Sequence, residues 1–474
     1  MIDLLELLLL LSWVAAVATI PSVLLQRQGR PNAALAWLFA LFAMPPVALL
    51  AWWLFGHSHL ERKRRRRRRA LRELDPLMRH QAERLPEPKD AAERLLAAVS
   101  LPAGLQEAIF PPSGGNAATL LLETSRTYDA WEAAIRDAGH HVHLLYYIWQ
   151  NDATGRRIRD LLVEKARQGV QVRLLYDGVG SARLPRNFFD TLRTAGGRAE
   201  PFLPIHLRVR RPVINFRNHR KLLIVDGAVG FIGGINVGDE YLEWQDLGVR
   251  IEGPGVDQLQ EIFHEDWYFA SHENFADRGC FGRWAGREPP EGADVSCATV
   301  ASGPDQRFNA IREMLFLAVT QCRRRLWIMT PYLVPDGALV MALRSAAYRG
   351  VDVRIMVPAR SDVPLVQRAS RAFYSDLLDA GVRILEYDGM LHAKSLLFDD
   401  DLLLIGSANM DTRSFRLNFE ASTFLASPRL NRQMAGHFVR AEAACVAVDA
   451  GAQRQRSRWE QLVDSAAHLL SPLL

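Results

Sequence analysis

The chain has 474 residues, 49% of them hydrophobic; that is too long for one small core and apolar enough for large buried sheets plus a membrane-embedded part. Net charge is +5, but Arg62 to Arg69 is an unbroken basic run of eight, and removing it (5 − 8 = −3) leaves a slightly acidic remainder, which argues against a broad nucleic-acid-binding face. Cys280, Cys297, Cys322 and Cys445 form no Cys-x-x-Cys pair, so neither a disulfide framework nor a zinc site is indicated and a reducing compartment fits.

Leu7 to Leu25 and Ala33 to Phe55 are two apolar runs, each near the ~20 residues a helix needs to cross a bilayer. A cleaved leader is the competing reading of the first, with Ala16-Val17-Ala18 shaped like a cleavage site. Asp3 and Glu6 precede it without a Lys or Arg, which speaks against a leader. The expectation is a transmembrane helical hairpin over residues 1–56. Only Arg27 and Arg30 fall between the runs, so the Arg62–Arg69 block predicts both termini and the body in the cytoplasm. That block also suits anionic lipid headgroups.

Residues 57–115 read as a basic connector, with a short helix over Ala91 to Val99. A first lobe follows over 116–271. Its periodicity predicts a helix from Tyr128 to Ala138, a strand from Val142 to Trp149, a helix from Gly155 to Gln168 stopped by Gly169, and a strand from Val170 to Tyr176. Residues 272–300 are rich in polar residues, Gly and Pro and read as a linker. A second lobe over 301–474 repeats the order: helix Phe308 to Val319, strand Leu326 to Met329, helix Leu339 to Tyr348, stop Gly350, strand Val351 to Val357. The predicted class is α/β, two pseudo-symmetric lobes with mixed or parallel sheets and one site in the seam. The first lobe carries an extra segment with His206, Arg208, Arg210, Arg211 and Arg217, which suits either a phosphate-holding rim or a solvated loop. Trp459 to Leu474 is amphipathic and suits the body or a membrane surface.

One pattern occurs twice. His219-Arg220-Lys221 leads an apolar run to Asp226, with Asn236 beyond it. His392-Ala393-Lys394 leads another to Asp399, and Asn409 follows at the same interval from its His as Asn236 does. Strand parity puts each His beside its Lys. An imidazole next to a fixed ammonium suits a phosphodiester: the Lys binds oxygens that gain charge, and the His does covalent or proton work. Asn236, Asn409 and Ser407 offer further hydrogen bonds. Each Asp stands at an odd offset from its His, which turns it away, so a role at the strand end is at least as well supported as an orienting one. Asp246 or Glu252 in the first lobe and Glu420 in the second are better placed to orient the imidazoles. His140, His141 and His143 form a cluster, but no acidic or Cys partner is in view and His141 and His143 sit at the start of a strand, so a metal site is not indicated.

The doubled motif resembles the signature of the phospholipase D superfamily. Gly234-Ile235-Asn236-Val237-Gly238-Asp239-Glu240-Tyr241, Asn409-Met410-Asp411-Thr412-Arg413-Ser414-Phe415 and Asn418-Phe419-Glu420 resemble bacterial cardiolipin synthases in particular. The resemblance implies a phosphatidyl transferase that condenses two phosphatidylglycerol molecules to cardiolipin and glycerol through a phosphohistidine. It makes His219 the nucleophile and His392 the acid and base, with Lys221, Lys394, Asp226 and Asp399 completing the catalytic set. Asn236, Ser407, Asn409, Glu420 and Asp246 are the expected substrate-side residues. It implies no cofactor or metal, anionic membrane lipid as partner, no nucleic acid, and a multi-pass place in the bacterial inner membrane; oligomeric state is left open. The alternatives are a phospholipase D-type hydrolase, a synthase using another donor or acceptor, a membrane-tethered nuclease of the same fold, or a non-catalytic scaffold, the last disfavoured by intact motifs.

Overall fold

The computed structural model describes residues 4–28, 31–56, 109–204, 215–276, 279–284, 290–306 and 308–469. The Arg62–Arg69 run, the Ala91 to Val99 helix, His206, Arg208, Arg210, Arg211 and residues 470–474 lie outside them.

The lobes are built from the same order of strands. Lobe 1 lays out Ser113–Leu121, Gly248–Glu252, Val229–Gly233, Leu222–Val225, His141–Tyr146, Gln171–Asp177 and Arg198–Phe202 side by side. Lobe 2 lays out Val295–Ser302, Asn418–Ala426, Leu402–Gly406, Ser395–Phe398, Arg325–Met329, Asp352–Pro358 and Arg383–Tyr387, then adds Cys445–Ala447 at the edge. Each sheet is mixed: His141–Tyr146 runs parallel to Gln171–Asp177 and antiparallel to Leu222–Val225, and Arg325–Met329 does the same in lobe 2.

The expected helices and strands form within a few residues of their predicted limits. Asp152 caps Ala153–Arg167 by accepting from the Gly155 amide, and Asp336 caps Gly337–Tyr348 by accepting from Leu339. Ile158, Leu162 and Ala166 bury one stripe; Leu339, Ala342, Leu343 and Ala346 bury the other. Gly169 (φ 88°) and Gly350 (φ 85°) then adopt the left-handed conformation that ends each helix.

The sheets are not separate. Ser113–Leu121 pairs antiparallel with Val295–Ser302, so one 16-stranded sheet runs through both lobes. The strand Val295–Ser302 begins inside the stretch expected to be linker, and Ser113–Leu121 begins shortly before the expected start of the first lobe.

The N-terminal hairpin also differs from expectation. Helix α1 (Leu4–Gln26) is long and apolar enough to cross a membrane. The chain does turn back, but the second run breaks into α2 (Pro31–Ala43) and α3 (Pro45–Ala51), followed by a π-helical turn, Trp52–Gly56. The break has a local cause. Met44 precedes Pro45-Pro46 and leaves the helical region (φ −141°), because a proline ring excludes the α conformation from the residue before it.

Candidate active site

Backbone pairing across the seam builds the site. Arg217–Asn218 joins the edge of Asn418–Ala426 in parallel, and the His219 amide donates to the Phe419 carbonyl at 2.9 Å. On the other side, Gln245 bridges Leu391, and the His392 amide donates to the Gln245 carbonyl at 2.8 Å. The next residue after Phe419 is Glu420, and the next after Gln245 is Asp246. Each imidazole therefore meets a carboxylate of the opposite lobe. His219 Nδ1 lies 3.1 Å from Glu420, and His392 Nδ1 lies 2.6 Å from Asp246. The carboxylates are the ones expected, but the pairing is crossed rather than within each lobe. Glu252 is not at the site; it pairs with Arg250 on a lobe 1 strand.

A carboxylate on Nδ1 selects the tautomer whose Nε2 carries a lone pair. Burial, opposed by Glu420, lowers the His219 pKa to about 4, so the ring is neutral near pH 7. Burial also lowers His392, followed by the Lys394 charge, with Asp246 acting against both. Glu420 is itself pushed up by burial, but His219, Lys221 and Ser407 outweigh this and keep it ionised.

Lys221 and Lys394 stand beside their histidines as strand parity predicts, each bonded to the carbonyl of its own His. Neither group is in regular strand, since Leu222–Val225 and Ser395–Phe398 begin just after them. Burial lowers both ammonium pKa values, that of Lys394 to about 8. Lys394 is among the charges that depress His219, and Lys221 among those that depress His392, so the two motifs share one electrostatic site. The Tyr147 ring packs edge-on against His219 (4.8 Å between centroids) and Trp244 packs tilted against His392 (5.1 Å), walling the seam.

The remaining expected residues divide. Asn236 Oδ1 accepts from the Ile148 amide, which fixes its side chain. Asn409 Oδ1 is buried with no hydrogen-bond partner among the described residues, a polar atom left for a ligand. Ser407 departs from expectation: its hydroxyl proton is committed to Glu420, so it holds the carboxylate rather than a substrate oxygen. Asn418 Nδ2 donates to the same carboxylate at 3.1 Å.

Asp226 and Asp399, counted with the catalytic set, sit at the far ends of Leu222–Val225 and Ser395–Phe398, about 13 Å or more of strand from the lysines. Asp226 accepts from the amides of Gly139, His140 and His141, all at 2.8 Å. Asp399 accepts from Arg323 and Arg324 at 3.1 and 2.7 Å. Both have left-handed backbone (φ 55° and 49°), a conformation short polar residues tolerate. They pin the turn that starts the neighbouring strand. Burial pushes the Asp226 carboxyl up, but the amides outweigh it and hold it below its usual range. Its stabilisation is present above the ordinary carboxylate pKa and fades as pH falls through the depressed folded value. Asp226→Ala is expected to cost about 2–3 kcal/mol, read from the urea midpoint, while kcat stays within about twofold.

Three residues at the seam carry no signal in the motif spacing. Arg220 is fully buried, donates to Asp266 at 2.6 Å, and also reaches the carbonyls of Glu420 and Ser302. Asn218 donates to the same Asp266 at 2.8 Å. Together they lock the His219 strand to lobe 2. Parity points Arg220 away from His219.

His141 and His143 are buried at the start of the strand His141–Tyr146, as expected, and His140 just before it is half-exposed. His141 and His143 share Gln260, and burial lowers the His141 pKa to about 3. A Cys partner does exist in space: Cys280 brings its sulfur within 4.8 Å of the nearest ring nitrogens of His140 and His141. Arg283 places a positive charge on both rings, which opposes a cation there.

Comparison with known proteins agrees with this geometry. The family model described as "Cardiolipin synthase, PLD-like domain" matches residues 132–267 and 315–441. A cardiolipin synthase of Geobacillus kaustophilus is 37% identical, covering 97% of this chain and 92% of its own. The major cardiolipin synthase of Bacillus subtilis is 34% identical, covering 95% of this chain and 96% of its own. Among solved structures, the phosphatidylserine synthase of Haemophilus influenzae shares the fold, with a TM-score of 0.56 at 16% identity over 75% of this chain and 95% of that one. Two copies of one lobe, each presenting His and Lys to a shared seam and matched by this family model, place the chain in the phospholipase D-like cardiolipin synthase family.

Proposed function

We propose that the enzyme transfers a phosphatidyl group from one phosphatidylglycerol to the terminal hydroxyl of a second, through a phosphohistidine on His219. Phosphatidyl transfer between phospholipids is the activity of the family. The observation that carries the two-histidine scheme is the crossed pair of Nδ1–carboxylate contacts, His219 with Glu420 and His392 with Asp246.

In the first half, His219 Nε2 attacks phosphorus and the P–O bond to the headgroup glycerol breaks. His392 gives its proton to the departing alkoxide. The phosphodiester's negative charge favours the protonated form of His392 beside Lys394. Lys221, Lys394 and the side-chain Nδ2–H groups of Asn236 and Asn409 take up the charge on the non-bridging oxygens. In the second half, the acceptor hydroxyl passes its proton to His392 and attacks phosphorus, and the N–P bond breaks to restore His219. A membrane attachment through the apolar helix α1, with the catalytic body on the cytoplasmic side, suits a substrate drawn from a bilayer.

The purified full chain with headgroup-labelled phosphatidylglycerol in mixed micelles is expected to yield cardiolipin and free labelled glycerol in equal amounts. Phosphatidic acid as the sole lipid product would instead make the enzyme a hydrolase.

A further inference from the structure

The break at Met44 does more than kink the second apolar run; it reverses it. Three contacts fix the path. Trp13 of α1 packs edge-on against Phe42 at the end of α2, with centroids 5.1 Å apart, so α2 returns antiparallel to α1 and stops level with its middle. Trp37 of α2 packs against Trp52, again at 5.1 Å, so α3 turns back along α2. Arg27, just past the end of α1, donates to the Gly56 carbonyl at 2.9 Å and lies over the Trp52 ring at 5.4 Å. The second run thus ends beside the turn where it began. A helix that carried straight through would leave Gly56 near the start of α1.

Lengths agree. At 1.5 Å per residue, the 23 residues of α1 span about 34 Å, enough for a hydrocarbon core of about 30 Å. The 13 residues of α2 reach only about 20 Å. The tip is apolar, with Phe42, Met44 and Val47 exposed, which suits hydrocarbon and not water. Its backbone is nearly satisfied: Met44 donates to Ala40, Ala48 donates to Met44, and Pro45 and Pro46 have no N–H to leave orphaned. Two adjacent prolines thus lower the cost of this turn inside a membrane.

Charge agrees too. If both runs crossed, Arg27 and Arg30 would lie on the opposite face of the membrane from the Arg62–Arg69 block. With the second run re-entrant, Arg27 and the end of that run at Gly56 lie on one face, and the acidic Glu6 approaches the other. Arg27 is also within electrostatic reach of Arg416 in the catalytic body, which puts that end of α1 on the body's side.

We infer that the chain crosses the bilayer once, through α1, and that α2 and α3 form a half-span wedge in the leaflet facing the catalytic body. The N-terminus then lies across the membrane from the body, and the turn between α1 and α2 lies on the body's side. The occupant of the exposed apolar faces of α2 and α3 is that single leaflet. This reading is relative to the body, so it holds whichever face the body occupies; the cytoplasmic placement rests on the proposal above.

The test uses the full-length chain in bacterial spheroplasts, with epitope tags at both ends and Gln28→Cys in the turn. A membrane-impermeant maleimide and an external protease are applied before and after permeabilisation. The parent without Gln28→Cys gives the background from the native cysteines, and cardiolipin formation in the same cells reports folding. The expected result is an N-terminal tag cleaved in intact spheroplasts, while the C-terminal tag is protected and Gln28→Cys gains label only on permeabilisation. A Gln28→Cys site labelled from the opposite side to the C-terminal tag overturns the half-span, as does an N-terminal tag on the same side as the C-terminal one. A C-terminal tag cleaved from outside, with the turn labelled there too and the N-terminal tag protected, keeps the half-span and rejects the cytoplasmic placement instead.

Discussion

His392→Ala is expected to lose on the order of 10⁴ in kcat with phosphatidylglycerol and to recover much of it in the first half-reaction when the leaving group is nitrophenolate. A nitrophenolate needs no proton to depart, so an enzyme without its acid still forms the covalent intermediate. His219→Ala lacks the nucleophile and gains nothing from a better leaving group. A burst of nitrophenolate from His392→Ala and none from His219→Ala is the predicted pattern. The reverse pattern would exchange the two roles. Spacing alone does not rank the histidines, since both motifs have the same intervals and both rings carry a carboxylate on Nδ1.

The crossed carboxylates extend that test. Glu420→Gln, in lobe 2, should behave as a defect of the lobe 1 nucleophile: a loss of about 10²–10⁴, not relieved by nitrophenolate. Asp246→Asn, in lobe 1, should behave as a defect of the lobe 2 acid and be largely relieved. Gly234→Ala should reach the Asp246 result by a different route. A Cβ there would stand 2.3 Å from Asp246 Oδ1, pushing the carboxylate off His392. A shift of about 1 Å in such a group costs about 10² in rate. Ser407, which holds Glu420, occupies the place in lobe 2 that Gly234 has in lobe 1, so the lobes differ where the two roles differ. The pH profile follows from the same contacts. Attack needs His219 neutral, so its contribution to the acid limb is expected near pH 4 rather than near the ordinary histidine value.

Much of the fold was legible because it is written in local periodicity. The apolar stripe Ile158, Leu162 and Ala166 and the stop at Gly169 place a helix and its end without further information. What stayed hidden depends on partners distant in the chain. The joining of Ser113–Leu121 to Val295–Ser302 reaches across the whole of lobe 1. No pattern in either strand names the other: Ser113–Leu121 is buried only in part, and Val295–Ser302 is buried throughout and shows no alternation. The carboxylates were found but not their assignment, since the Phe419 and Gln245 carbonyls that dock the histidine amides belong to the opposite lobes. Asp226 and Asp399 were legible in part: parity turned them from the imidazoles, and the amides they hold lie in the turn that leads into a neighbouring strand. The reversal at Met44 was visible as two prolines, yet hydropathy has no direction and scores a straight span and a folded one alike.

The most direct measurement of the double displacement is the stereochemistry at the transferred phosphorus. Phosphatidylglycerol made chiral there with heavy oxygen and sulfur would be converted to product by the full-length enzyme, and the product's configuration read by phosphorus NMR. Attack by His219 and then by the acceptor inverts the centre twice, so retention is predicted. Net inversion would mean that one lipid hydroxyl attacks the other's phosphorus in a single step, and the phosphohistidine would have to be abandoned.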